Sequence, residues 1–300
     1  MNLAMTAAAG KVGTAILAAA QEKSLPIRAL LRNAAPSSVP ASSTVRFDFA
    51  DRTSHARALE GVDTLILISP STAQQVEQVS AVIDAARAAG VGHVVKLSGA
   101  GAEHGGTRFA DQHRALEHHL NSSGIATTIL RPTFFMENSL GIAGTIAAGI
   151  YPAPTADARM GQIAIADIAA VALAVVAEPG VHRGAVYTLT GPAAYTGEEM
   201  ASAFSEAAGH PVRYVDVPET AFRQNLLDAR LDVFTVEGLI EAYRLVRAGG
   251  AAATTDDVRR VTGRSPIDLA TWTRSHAKAF LATGDASTDR ALNPPERATR

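Results

Sequence analysis

The chain has 300 residues, 47% of them hydrophobic and 19% charged, with 27 basic against 29 acidic side chains and a formal charge of −2. That composition describes a globular protein with a sizeable core, one large domain or one and a half, and its dispersed charges offer no general attraction to nucleic acid or to an anionic membrane. Cysteine is absent, which excludes disulfides, thiolate nucleophiles and cysteine-bound metals and fits a cytoplasmic location. The amino terminus carries no charged leader with a long apolar core, and no run approaches the roughly 18 apolar residues of a membrane span. The chain therefore reads as soluble and unprocessed.

Short apolar runs recur along the first half, alternating with amphipathic stretches. NLAMT (2–6) precedes a helical pattern over 10–21, PIRALL (26–31) follows, and DTLILIS (63–69) precedes a second helical pattern over 75–89. HVVKLS (93–98) and TTILRP (127–132) complete the series. Alternation of this kind predicts right-handed crossovers and a parallel sheet. The unbroken hydrophobicity of TLILIS predicts a strand buried on both faces. The expected fold class is α/β, a Rossmann-type doubly wound parallel sheet with a smaller, mostly helical carboxyl-terminal substrate lobe.

After Pro132 the pattern changes. A loop-rich stretch runs to Met160, and its part over 143–154, rich in glycine and alanine, reads as a flap over a site. The run 161–179 then predicts a turn or short strand leading into a helix capped by Asp167. Beyond AVYTLTG (185–191), Thr196 and Glu199 form a capping-box pattern that opens a further helix. The expected division is a Rossmann-like domain over 1–180 with a substrate-lobe insertion near 135–160, a smaller lobe over 181–283, and a tail over 284–300 that has little to bury.

Functional chemistry concentrates at the first strand-to-helix turn, TAAAGKVG (6–13). In a parallel sheet this turn presents free amides and the positive end of a helix dipole to a phosphate. Gly10 lets the backbone approach a pyrophosphate and Gly13 lets the helix pack close, while Ala7 stands where such loops carry a first glycine. Were that turn to need a positive φ, alanine would cost about 1 kcal/mol. Past the second strand, where dinucleotide folds choose between cofactors, the chain offers Arg32, with Arg28 before it and no nearby carboxylate. That favours a 2′-phosphate, and hence NADP(H).

With these residues assembled, the sequence resembles the NmrA-like group of atypical short-chain dehydrogenases, which includes type 2 quinone oxidoreductases and triphenylmethane reductases. TAAAGKVG stands where that family has TGATGxxG, HVVKLSGAGA resembles its fifth strand, and HRALEHHLNSSGIATTILRPTFFMEN its most distinctive run. The resemblance implies NADP(H) bound by Gly10, Lys11, Val12 and Gly13 at the pyrophosphate, Arg32 at the 2′-phosphate, Asp48 and Phe49 near the adenine, and Ile68, Ser69 and Pro70 along the ribose. It further implies that Lys96, Ser98 and Gly99, with Pro132 to Phe135 including Phe134, face the nicotinamide. Ala7 and Ala9 depart from the family loop by an added methyl and a lost hydroxyl.

Short-chain dehydrogenases move protons with a tyrosine four residues before a lysine, because the ammonium lowers the phenol pKa. None of the tyrosines at 151, 187, 195, 214 and 243 has such a lysine. What remains is hydride delivery needing little acid catalysis, as to a quinone or a cationic dye-like acceptor. Lys96, one of four lysines, lies at a strand's carboxyl end, where it can bridge ribose hydroxyls or polarise a substrate oxygen. His113 shares a helix face with Leu116, Glu117 and Leu120 and can hold the substrate or give it a proton; Lys96 and His113 are the catalytic candidates. His118 and His119 lack a metal-binding spacing and read as surface residues, so no metal is expected. The expected partner is a small aromatic or quinone-like molecule, and a homodimer is left open. Two alternatives remain: a cofactor-sensing regulator without turnover, and a non-redox enzyme on the same scaffold.

Overall fold

The computed structural model describes residues 2–33 and 43–281; the tail expected over 284–300 lies outside them. β1 (Leu3–Met5) leads into α1 (Lys11–Glu22), β2 (Ile27–Leu31) and β3 (Ser43–Arg46), then α2 (Thr53–Leu59), β4 (Thr64–Leu67) and α3 (Gln75–Ala88). β5 (His93–Leu97), α4 (Arg108–Ser122) and β6 (Ala126–Pro132) follow. The next stretch holds β7 (Phe134–Phe135), a 3-10 segment at Met136–Ile142, α5 (Ala143–Ala147), β8 (Ile150–Ala153) and β9 (Met160–Ile163). α6 (Ile165–Ala177), α7 (Pro179–His182) and β10 (Val186–Leu189) return the chain to the main sheet. The remainder comprises β11 (Ala194–Tyr195), α8 (Gly197–Ala208), β12 (Arg213–Asp216), α9 (Glu219–Asp228), α10 (Val233–Arg247), α11 (Asp257–Thr262) and α12 (Leu269–Ser275).

Seven parallel strands form one sheet in the order β10-β6-β5-β4-β1-β2-β3. The order reverses between β1 and β4, which opens a crevice at their carboxyl ends, where doubly wound sheets bind ligands. Every residue of β4 is buried, in accord with its continuous apolar run, because two helical layers cover the sheet. Ile16, Leu17, Ile168 and Val175 build one layer; Leu59, Val79, Ile83 and Leu116 build the other. Thr6 staples the crevice: its hydroxyl donates to the Ile68 carbonyl at 2.6 Å and accepts the Ile68 amide at 3.0 Å.

A third core, around Met136, Tyr151, Phe204, Trp272 and Phe280, holds the smaller lobe. The capping box of α8 forms as its sequence predicts, with Thr196 accepting from the Glu199 amide and Glu199 reaching back to the Thr196 amide.

Three expectations are corrected. The main sheet extends past residue 180, since Val186 to Leu189 pair in register with Ile129 to Pro132. The stretch 143–154 is not a free flap: Ala143–Ala147 is helical, and Ile150 to Ala153 pair with Arg213 to Asp216, so the lobe's own small sheet ties it down. Asp167 does not cap α6. Ala164 is the N-cap residue, and the Asp167 carboxylate is fully buried and accepts the Ile267 amide at 2.7 Å.

Candidate functional site

The turn after β1 does require a positive φ. Ala7 sits at φ 49°, a conformation that costs an L-residue about 1 kcal/mol, and the Gly10 amide closes the turn on the Ala7 carbonyl at 2.9 Å. A Cβ on Gly13 would lie 2.5 Å from that carbonyl oxygen and 2.8 Å from the Ala8 Cα, so only glycine fits. Gly10 opens α1 without any side-chain cap, which leaves the first-turn amides of Lys11, Val12 and Gly13 without intrahelical acceptors, an arrangement suited to an anion. Ala9 is exposed and blocks none of them. This cradle fits a dinucleotide pyrophosphate.

The remaining cofactor-side candidates lie along the same carboxyl edge. Arg32 is exposed just beyond β2. Arg28 is turned away, donating to the Glu60 carbonyl at 2.8 Å, which leaves Arg32 as the cation at that strand's end. Past β3, the Asp48 carboxylate accepts the Ala50 amide at 3.0 Å, and Phe49 stands edge-on to Phe47 at 5.0 Å. Beyond β4, Ile68 is buried, Ser69 accepts from the Gln75 amide group at 2.9 Å, and Pro70 is exposed.

At the carboxyl end of β5, Lys96 is 0% exposed. Its ammonium donates to the Leu97 carbonyl at 2.7 Å. Burial lowers its pKa to about 8, with the Glu117 carboxylate opposing the shift. Glu117 and His113 share the inner face of α4. Glu117 accepts the Ser98 hydroxyl at 2.6 Å and a two-pronged contact from Arg131 at 3.0 and 2.5 Å; Arg131 also meets Glu103 at 3.0 Å. Ser98 thus spends its hydroxyl on Glu117. His113 packs against Gly99, where a Cβ would come within 3.1 Å of the imidazole Cδ2, and its Nδ1 is enclosed without a hydrogen-bond partner among the described residues. Burial and then the Lys96 charge lower its pKa to about 3, so the ring is neutral.

Pro132 ends β6 and accepts the Ala100 amide at 2.9 Å. Just beyond it Phe134 meets Tyr243 of α10, ring centroids 5.7 Å apart, and Tyr243 in turn meets Phe222 of α9 at 5.0 Å. These aromatic rings lead from the sheet's edge to a cavity of about 210 Å³ lined by Pro154, Pro218, Phe222, Ile240 and Tyr243, with Arg244 and Arg247 at its rim. Phe135 packs into the main core instead. α10 is docked on the start of α4: Glu241 accepts from the Arg108 amide and guanidinium at 2.7 to 3.0 Å, and Gly238 gives the Phe109 ring room that any Cβ would occupy. Among the described residues no group of three or more side chains is arranged to hold a metal, and no helix is long and apolar enough to cross a membrane. His119 contacts Asp84 at 2.8 Å, and His118 is exposed.

Glu117, Arg131 and Tyr243 were not singled out from the sequence as site residues. The spacing of Glu117, four residues after His113 on one helix face, was the available signal; Tyr243 gave none, because only the folded lobe brings it to Phe134.

A doubly wound sheet with a glycine cradle at its switch point and an aromatic lobe over its carboxyl edge defines a two-lobed dinucleotide-binding protein. The chain belongs to the NmrA-like family, whose model matches residues 2–270. It is 33% identical to the NAD(P)H azoreductase of Xenophilus azovorans over 91% of this chain and 97% of that protein. It is 31% identical to quinone oxidoreductase 2 of Escherichia coli over 89% and 96%; the structure of that enzyme with NADPH superposes with a TM-score of 0.80 over 91% of this chain and 99% of its own, at 29% identity. The Citrobacter triphenylmethane reductase in complex with NADP(H) superposes with a TM-score of 0.82 over 92% and 100%, at 25% identity.

Proposed function

We propose that this chain, an NADP(H)-dependent oxidoreductase of the NmrA-like family, reduces a small planar aromatic acceptor such as a quinone by direct hydride transfer, without a tyrosine–lysine pair. The observation that carries the reading is the pairing at one carboxyl edge of a pyrophosphate cradle, Gly10 to Gly13, with the ring series Phe134, Tyr243 and Phe222. The three relatives named above bear on the same chemistry: a quinone reductase, an azoreductase and a dye reductase.

NADPH supplies the hydride when bound. The first-turn amides of α1 hold its pyrophosphate and Arg32 its 2′-phosphate. Ile68, Ser69 and Pro70 line its ribose side, and Gly99 and Pro132 border the nicotinamide. Phe134 and Tyr243 stack the acceptor and exclude water from it, so the protein chiefly fixes two rings in reacting geometry. His113, neutral and set against Gly99, offers the acceptor oxygen an N–H.

The test is NADPH oxidation followed at its absorbance with a panel of benzoquinones, naphthoquinones and azo compounds. Turnover with at least one planar acceptor, faster with NADPH than NADH, is expected. NADPH binding without turnover of any member would refute the reductase reading and favour a cofactor-sensing role.

A further inference from the structure

We propose that the free edge of β3 is a docking strand for a partner protein: an extended acidic segment adds to the main sheet beside Ser43–Arg46, its backbone paired with Thr44 and Arg46 and its carboxylates held by Arg28, Arg46 and Arg57. The site uses none of the residues assigned to cofactor or acceptor, and it stands independently of the reductase reading.

The backbone supplies the first half of the argument. β3 closes the seven-strand order and pairs with β2 alone. The Phe47 amide donates to the Leu31 carbonyl at 2.8 Å. Backbone groups of alternate residues point to opposite sides of a strand, so Ser43 and Val45 share the direction of Phe47, and the N–H and C=O groups of Thr44 and Arg46 face the open side. Neither residue has a partner on that side among the described residues. Three of the four residues of β3 are exposed, and a row of unpaired amides and carbonyls is a template for a further strand.

The side chains supply the second half. All four residues of β3 line a groove of about 590 Å³, whose other walls are Arg28, Arg57 and Glu60. Three guanidinium groups thus face one carboxylate in a chain whose charges otherwise balance. Arg28 is held in place by the Glu60 carbonyl at 2.8 Å, while Arg46 and Arg57 are exposed and make no hydrogen bond or ion pair among the described residues. Asp51, whose charge feels Arg46, is turned to the amide and hydroxyl of Thr53 at 3.1 and 2.6 Å.

Charge and backbone together select the occupant. Cations along an edge repel a second copy of the same edge, which disfavours self-pairing and admits a strand of opposite sign. A small anion would engage the guanidinium groups yet find no use for the two outward carbonyls, which only a chain with its own N–H groups can pair. In strand addition the main-chain bonds provide affinity and alternate side chains provide selection; here the selecting groups are arginines, which take carboxylates in two-pronged contacts.

The experiment titrates the ¹⁵N-labelled full chain with the peptide acetyl-Glu-Val-Glu-Val-Glu-Val-Glu-amide at low salt. The amides of Thr44 and Arg46 are expected to shift and to gain protection from exchange, and the lysine-for-glutamate peptide is expected not to bind. Arg46→Glu and Arg57→Glu should each weaken binding by roughly tenfold or more with Tm unchanged. Two further peptides, N-methylated on the valines or on the glutamates, keep every charge; one of the two should lose binding by a similar factor because its N–H groups toward β3 are gone. No binding of the acidic peptide, or shifts that leave out Thr44 and Arg46, would overturn the proposal. Equal binding of both methylated peptides, or the same amide shifts with inorganic tripolyphosphate, would overturn it too and make the groove a small-anion site.

Discussion

The Ala7 carbonyl accepts the Gly10 amide at 2.9 Å and stands 2.5 Å from the point where Gly13 would carry a side chain. One carbonyl thus closes the turn and fixes how tightly α1 is drawn onto it. Ala7→Gly relieves the positive φ and is expected to stabilise the protein by about 1 kcal/mol, raising Tm by roughly 2 °C in calorimetry and tightening NADPH binding. Gly13→Ala is expected to push the turn open and abolish NADPH binding in a calorimetric titration.

Arg32 is the cation left at the end of β2 once Arg28 has turned to the Glu60 carbonyl. Charge-assisted hydrogen bonds to a phosphate are worth about 1.5–3 kcal/mol. Arg32→Ala should therefore weaken NADPH binding by roughly tenfold or more while leaving NADH binding unchanged; an equal loss for both nucleotides would place the 2′-phosphate elsewhere.

Acid stability is set at the opposite end of the sheet. The hydroxyl of Thr128 donates to the His182 carbonyl at 2.7 Å, so it accepts the His93 Nε2–H at 2.9 Å and leaves the His93 Nδ1 buried and without a partner among the described residues. Burial lowers the His93 pKa from 6.5 to about 4. Between those values the unfolded chain binds more protons than the folded one, so this contribution is complete above pH 6.5 and declines as pH falls toward 4, by up to about 1.4 kcal/mol per unit. His113 acts in the same direction. Urea unfolding at intervals from pH 4 to 7.5 should show the decline, and His93→Gln should flatten it.

The lobe is held over the site by a close helix contact. Any Cβ on Gly238 runs into the Phe109 ring, so Gly238→Ala is expected to cost about 1–3 kcal/mol and to raise KM for the acceptor more than for NADPH. Tyr243→Leu, which keeps apolar bulk and loses the ring facing Phe134, should raise acceptor KM with little change in Tm.

The main sheet was legible where burial on both faces made strands continuously apolar, as in β1 and β4. β3 was not: three of its four residues are exposed, and an edge strand of Ser, Thr, Val and Arg carries no such signal. The cradle was legible from its two glycines, but the conformation of Ala7 was not, since alanine enters the left-handed region only when the surrounding turn demands it. Lys96 stood out as a rare residue at a strand's end. Glu117 did not, because a glutamate on a helix ordinarily faces water, and only the packing of α4 on β6 brings it to Arg131. Asp167 read as a helix cap from local pattern, while its true partner is the Ile267 amide, one hundred residues on.

That last contact has a consequence for synthesis. Asp167 is sealed in the interior, and Glu137 accepts the Ile165 amide and the indole N–H of Trp272. Until Ile267 has been made, the buried Asp167 carboxylate lacks the amide it accepts from, and until Trp272 has been made, Glu137 has only the Ile165 amide. The seam between α6 and the smaller lobe therefore closes only once Ile267 and α12 are in place. A variant truncated before Ile267 is expected to leave this seam open and to be cut by a protease faster than the full chain.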